Sequence, residues 1–410
     1  MRSLVVSRDV FPWGESFGAG MRLNWVSRTL AELGEVDFLL LRTIGHKDTL
    51  PSDSAFRRIH IISQLPTWWP GYNDSKVTYI PESQRTIADR QRLLAELPKW
   101  VFNTNYDVIW YNRERTWLTM RDVLSTPSVI DVDDLNDIIL ERWLTLPETG
   151  DRKPLSMSQK AQVRRDIKWW QMVHRFAADQ ADTLVFASDH DKDRFDFDNS
   201  VVVPNAYEPA SADHHHQPLQ SNGHERPTIL FPGRLTWPPN EDAALWLAET
   251  IGPRISAHIE GLRIILAGLP SARVQALATR SHVDVVGAVP EMAPYLRAAD
   301  LVAVPLRAGS GTRIKILEAF AHRIPVVSTT IGAEGLNVVG GVHLELADSV
   351  TDITARCVDL LANTPKRACL TKEAHRLYQR SYRANNVFES VRHAVDMART
   401  NFHAAVPAEE

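Results

Sequence analysis

Short apolar runs separated by helix-length segments dominate this chain, and the pattern occurs twice. The first series is SLVVS (3–7), VDFLLL (36–41), RIHII (58–62), VIWY (108–111), SVIDV (128–132) and DTLVF (182–186), with helical patterning over 22–33, 84–97 and about 158–180. A polar stretch rich in proline, glycine and histidine follows at 206–227, with the composition of a linker. The alternation then restarts with TILFP (228–232), LRIILAG (262–268), VDVVG (283–287), LVAVP (301–305), PVVST (325–329) and HLELA (343–347), between helices expected at 240–250, 291–299 and 312–322. Continuous apolar strands joined by helices imply parallel sheets covered on both faces. The expected fold class is therefore α/β, with two Rossmann-like doubly wound domains facing each other across a cleft. They span 1–205 and 228–385, and residues 386–410 form a terminal helix and tail that pack back on the first domain. Ligands of such sheets sit outside the carboxyl ends of the strands.

Composition narrows the function classes. A net charge of -4 over 410 residues lacks the basic footprint of a nucleic-acid binder. Two cysteines give no disulfide framework, which fits a cytoplasmic protein. The start, MRSLVVSRDVFPWGES, is too short and polar for a signal peptide, and no apolar run reaches the ~20 residues of a membrane span. The chain has 12 tryptophans, and Trp13, Trp25, Trp68, Trp69, Trp100, Trp110 and Trp117 lie in its first half. Such rings stack on sugars or sit at membrane surfaces, but most are simply large buried side chains. The triple histidine at 214–216 has no acidic or cysteine partner nearby and reads as a solvated loop rather than a metal site.

The chemistry concentrates in GSGTRIKILEAFAHRIPVVS (309–328). Gly309 and Gly311 let the backbone after the strand bend close to a ligand, with Ser310 and Thr312 between and beyond them. A helix expected to start near Thr312 aims its free N–H groups at the same point. Arg313 adds a fork suited to phosphate oxygens and Lys315 a point charge. Glu318 stands one to two turns in, where a carboxylate can accept hydrogen bonds from a ribose diol; the plain alternative is a solvated helix start with a surface Glu–Lys pair. Gly233 and Arg234, in PGR after TILFP, form a second phosphate candidate or an ordinary turn. In GAVP (287–290), the backbone of Ala288 and Val289 could read the edge of a base.

From about 228 to 385 the chain resembles the carboxyl-terminal half of family 4 glycosyltransferases, which are retaining, nucleotide-sugar-dependent enzymes of the GT-B fold. FPGRL (231–235), ILAG (265–268), VVGAVPEMAPYLRAADLVAVPL (285–306), GSGTRIKILEAFAHRIPVVST (309–329) and GAEGL (332–336) carry the resemblance. The first half is similar more loosely, through its glycine loop and PNAY (204–207). The resemblance implies that Glu318 binds the ribose, that Arg234 faces the donor diphosphate, and that Gly309 to Thr312 wrap the donor's sugar and phosphates. The family's second glutamate, eight residues before the ribose one, is here Ser310, and the lysine common after the PGR turn is absent from LTWPPN. This matches the branch with a G-[SA]-G-T-R-x-K loop, in which Arg313 and Lys315 take over phosphate work.

The first half adds GESFGAGMR (14–22), whose Gly18 and Gly20 would approach the donor phosphates across the cleft. Its spacing is not the dinucleotide fingerprint, which weakens a dehydrogenase or epimerase reading. In IDVDDLND (130–137), Asp133 stands where many relatives carry a histidine near the reacting carbon, with Asp134 beside it. There it could bind sugar hydroxyls or help remove the acceptor's proton. The same residues could cap the next helix, and Asp131 and Asp133 also spell a short D-x-D metal motif of an unrelated glycosyltransferase fold. The basic stretch KAQVRRDIKWWQMVHRF (160–176), with Trp169 and Trp170, could lie on a membrane or pack inward.

The expectation is thus a hexosyltransferase that takes a nucleotide sugar, UDP favoured over GDP, and glycosylates a glycan, lipid-linked or small-molecule acceptor. Its catalytic residues are Asp133, Arg234 and Lys315. It requires no metal or cofactor and binds no nucleic acid, and it works in the cytoplasm with peripheral contact at the inner face of the membrane. A binding subunit that keeps the fold without catalysis is the alternative.

Overall fold

A computed structural model describes residues 1–12, 18–42, 55–63, 93–121, 123–146, 155–209 and 226–405. The first sheet has seven parallel strands in the order β3-β2-β1-β4-β5-β6-β7: β1 (Arg2–Arg8), β2 (Glu35–Leu41), β3 (Arg58–Ile62), β4 (Val108–Asn112), β5 (Ser128–Val132), β6 (Thr183–Phe186) and β7 (Ser200–Val202). The second has six parallel strands in the order β10-β9-β8-β11-β12-β13: β8 (Thr228–Pro232), β9 (Arg263–Ala267), β10 (Val283–Gly287), β11 (Leu301–Val304), β12 (Val326–Ser328) and β13 (Glu345–Leu346). Leu4, Val5 and Val6 of β1 and Ile229, Leu230 and Phe231 of β8 are fully buried, as strands covered on both faces require. In each sheet the chain order reverses between two central strands, β1 and β4 or β8 and β11, and that reversal opens a crevice at their carboxyl ends.

The helices that position the site are α1 (Gly18–Leu33), α2 (Glu114–Met120), α3 (Asn136–Thr145), α4 (Met157–Gln180), α5 (Pro238–Trp246), α6 (Ile314–Ala321), α7 (Val350–Ala362), α8 (Thr364–Ser381) and α9 (Ala384–Ala405). Val387, Val391, Ala394, Val395 and Ala398 repeat at helical spacing on α9 and are buried in the core of the first domain. The chain therefore leaves the second domain after α8 and closes against the first, where Asn401 donates to the Asp182 carbonyl at 2.8 Å. Trp169 and Trp170 of α4 are also turned inward, packed with Leu140, Ile167 and Val173.

Three expectations need adjustment. Gly18 and Gly20 are not in a loop: they are the first turn of α1, and Gly20 is buried. The helix expected from Thr312 starts at Ile314. The three-residue strand β7 escaped the sequence pattern because so short an apolar run carries no periodicity. The expected helix 84–97 lies mostly, and the linker with its triple histidine largely, outside the described residues.

Candidate donor-binding site

Both crevices face each other and share one cleft of about 280 Å³. The first domain lines it with Asp9, Gly18, Arg113, Asp133, Asp134 and Asn205. The second contributes Gly233, Arg234, Trp237, Asn240, Thr312, Arg313, Lys315 and Glu318. Of the residues singled out in the sequence, Gly18, Asp133, Gly233, Arg234, Thr312, Arg313, Lys315 and Glu318 meet here.

The second-domain wall follows from the turn after β11. Gly311 has φ 71°, and a Cβ there would lie 2.6 Å from the Asp133 carbonyl oxygen, so the turn passes where only glycine fits. Arg313 is the N-cap of α6 and gives that helix no side-chain cap, so the first N–H groups of α6 have no side-chain acceptor from that cap. Its buried guanidinium folds back, Nη1 donating to the carbonyls of Ser310 and, at 2.7 Å, Gly311. Nε and Nη2 are buried with no hydrogen-bond partner. Burial lowers the pKa of Arg313, against the opposing charges of Asp134 and Glu334. A buried guanidinium with two idle donors is costly unless an anion completes it.

Lys315 Nζ donates to Asn240 Oδ1 at 2.8 Å and lies 4.2 Å from the centroid of the Phe231 ring. A Cβ at position 233 would come within 3.0 Å of that Nζ, so Gly233 gives the ammonium its room. Burial, reinforced by Arg313 and opposed by Glu318, pulls the Lys315 pKa down to about 7. Burial pushes Glu318 up to about 8, with Lys315 opposing. Arg234 is exposed and lines the cleft; among the described residues its side chain is held by an Nε contact to Thr236 Oγ1 at 3.2 Å.

The first-domain wall is acidic. Arg113 Nη2 sits between Asp133 Oδ2 at 3.3 Å and Asp134 Oδ2 at 3.4 Å. Burial, then the charge of Asp133, raises Asp134 to about 7, with Arg113 and Arg313 opposing. Asp131 points away from the cleft: both its oxygens hold Arg22 Nε, at 2.9 and 3.0 Å. The D-x-D pair is thereby split between core and cleft. Among the described residues no group of three His, Cys, Asp or Glu side chains could hold a metal ion.

Five sequence candidates lie elsewhere. Ser310 is fully buried and its hydroxyl clasps the backbone of Leu135, accepting from its N–H at 2.6 Å and donating to its carbonyl at 3.2 Å. The Gly309 carbonyl accepts from Arg142 Nη1. With Gly311 against Asp133, the Gly309–Gly311 turn braces the two domains rather than lining the cleft. Val289 packs partly buried against the second core, and Gly20 is inside α1.

Sequence reading missed Arg22, Asn205, Arg142, Asn240 and Arg113. Arg22 Nη1 reaches Asn205 Oδ1 at 2.9 Å, and Asn205 Nδ2 donates to Thr312 Oγ1, so Asp131, Arg22, Asn205 and Thr312 form one buried relay between the domains. An arginine in the first turns of α1 gives no hint of partners 109 and 183 positions away. Asn240 had a visible signal, since it lies in the LTWPPN stretch where the lysine common in the resembling family is missing.

Known proteins share this fold. Residues 226–363 match the family model described as glycosyl transferases group 1. Sucrose-phosphate synthase of Thermosynechococcus elongatus aligns at TM-score 0.68 and 16% identity, covering 98% of this chain and 100% of that one. HepE of Anabaena, in complex with UDP and glucose, aligns at TM-score 0.64 and 13% identity over 96% and 99%. WaaG, a glycosyltransferase involved in lipopolysaccharide biosynthesis, gives 0.63 and 12% over 97% and 99%. An uncharacterized 44.6 kDa protein in the cps region of Klebsiella pneumoniae is 22% identical over 172 residues, 40% of this chain and 44% of that protein, so this chain matches less than half of that relative's length. The fold is GT-B, and the second domain carries the glycosyl transferases group 1 signature.

Proposed function

We propose that this chain is a retaining, family 4-like glycosyltransferase that moves a hexosyl group from a nucleoside diphosphate sugar, UDP favoured over GDP, to an acceptor hydroxyl. The observation that carries the reading is Arg313, a buried guanidinium with two unpaired donor nitrogens at an uncapped helix start, beside Lys315 and Glu318 in the interdomain cleft. These are the groups that cleavage of a glycosyl phosphate bond needs. Negative charge builds on the leaving diphosphate, and Arg313, Lys315, Arg234 and the α6 N–H groups stabilise it without a metal or other cofactor. Glu318 accepts from the ribose hydroxyls. The acceptor enters from the first-domain wall, where Asp133 binds sugar hydroxyls or takes the acceptor proton. It attacks on the face the diphosphate leaves, so configuration is kept. The Anabaena protein of the same fold, in complex with UDP and glucose, supports a uridine donor.

The test is release of nucleoside diphosphate from a panel of UDP- and GDP-sugars. The wild type turns over one donor, and Arg313→Ala lowers kcat/KM by roughly 100-fold, the worth of two charge-assisted hydrogen bonds. Absence of release from every donor removes the enzyme reading. Ser310, which spends its hydroxyl on Leu135 where a second glutamate is usual, favours one alternative: UDP binding without any turnover would make the chain a GT-B binding subunit.

A further inference from the structure

Three arginines stand at the carboxyl ends of β1 and β4, where the strand order of the first sheet reverses, and of them Arg113 lines the cleft. Arg8 is the last residue of β1; Arg113 directly follows β4 in a left-handed conformation, φ 73°; Arg115 lies in the first turn of α2. Their carboxylate complement is thin. Arg8 meets Asp9 at 3.8 Å. Arg113 uses one nitrogen on Asp133 and Asp134, and its Nε is buried without a partner. The Arg115 guanidinium stacks 4.7 Å from the centroid of the Trp170 ring. Among the described residues it forms no ion pair or side-chain hydrogen bond, and its Nε is buried and unpartnered. Its helix neighbour Glu114 lies 2.7 Å from His174.

Burial, then the like charges of Arg8 and Arg113, lowers Arg115 to about 10, with Glu114 opposing. Cations forced together out of water with idle donors are the pattern of a site whose counter-charge arrives with a ligand. A planar guanidinium fork beside an indole suits oxyanion recognition. The donor cannot fill both crevices with one diphosphate, because Arg313 and Lys315 already provide for it on the opposite wall.

We propose that Arg8, Arg113 and Arg115 form an anion subsite in the crevice of the first domain that takes a phosphate group of the acceptor. The inference rests on the glycosyltransferase reading above and adds the acceptor's class. A phosphorylated small molecule and a lipid-linked phosphate present the same oxyanion, so two probes separate them.

The experiment is isothermal titration of UDP-saturated protein with glycerol 3-phosphate and, separately, with dodecyl phosphate below its micelle concentration. One equivalent binds while UDP stays in place. Arg115→Gln weakens that binding at least about tenfold and leaves UDP affinity within about twofold, and Arg8→Gln does the same should Arg115→Gln fail to fold. Tighter binding of dodecyl phosphate points to a lipid-linked acceptor and equal binding to a soluble one; either supports the subsite. No binding to the UDP-loaded protein, or binding indifferent to both substitutions, overturns it. If UDP itself does not bind the wild type, the donor reading fails instead. Glycerol 3-phosphate titrated into Arg313→Ala without UDP then still decides the subsite: loss of binding on adding Arg115→Gln supports it and no change refutes it.

Discussion

Lys315 shows how much the site depends on single side chains. Its ammonium has one polar partner, Asn240, and an aromatic ring beneath it, and burial holds its pKa near 7 while the cleft is empty. A diphosphate placed beside it adds negative charge and keeps the proton on. Binding therefore takes up a proton above pH 7, and affinity for UDP falls between pH 7 and 9 by up to about tenfold per unit. Lys315→Met should weaken UDP at pH 7 and flatten that slope. Calorimetry across this range, in buffers of different ionisation enthalpy, measures both; an unchanged slope in Lys315→Met would assign the proton elsewhere. Glu318 works in the same pocket by other means. Burial makes it a weak acid near 8, so Glu318→Gln nearly mimics its resting state and should keep the fold while removing an acceptor for the ribose. UDP affinity should drop about tenfold, read in the same titration, with the melting temperature within a few degrees of wild type.

Among the elements, α2, α3 and α4 are pinned by one buried histidine. His174 of α4 lies 2.7 Å from Glu114 of α2 and 3.2 Å from Asp137 of α3. Burial opposes its protonation, but hydrogen bonds to Asp137 and Glu114 win and raise it to about 9. A histidine raised in the folded state contributes its full stability below about 6.5 and loses it as pH climbs through 9. The shift corresponds to roughly 3 kcal/mol. Denaturant midpoints should therefore fall between pH 6.5 and 9, and His174→Gln should be less stable throughout, with that fall abolished, since it leaves two carboxylates buried without their cation.

This cluster also marks where the sequence stops being readable. The strands were legible because each is a continuous apolar run, and Arg313, Lys315 and Glu318 because one glycine turn feeds directly into one helix. The Glu114–Asp137–His174 cluster and the Asp131–Arg22–Asn205–Thr312 relay join residues from three or four separate segments, and only packing brings them together. The glycine turn was legible as a turn, but its task was not: Ser310 bonds to Leu135, 175 positions away, where the motif alone pointed at the ligand.

For the whole molecule, the two domains are held together beside the cleft by a few polar clasps. Arg142 binds Glu334 through both nitrogens, at 2.9 and 2.6 Å, and the Gly309 carbonyl as well. Glu334 is lowered below the usual carboxylate range: burial works against this, and Arg142 outweighs it. His190 and Arg194 of the first domain also approach Glu334, at 3.3 and 3.7 Å. Glu334→Ala frees Arg142, Arg194 and His190 together. It should cost about 2 kcal/mol of stability and enlarge the radius of gyration in solution scattering, with UDP restoring part of the compactness. An identical scattering curve would mean that the Ser310–Leu135 and Asn205–Thr312 contacts, with α9, hold the domains together without Glu334. Among the described residues no helix is long and apolar enough to cross a membrane.

If the idle nitrogens of Arg313 await a diphosphate, a crystal structure with UDP will show phosphate oxygens within hydrogen-bond distance of Arg313 Nε or Nη2 and of Lys315 Nζ, with the ribose hydroxyls on Glu318. A nucleotide bound elsewhere, with the Arg313 guanidinium still spent only on the carbonyls of Ser310 and Gly311, would rule this role out.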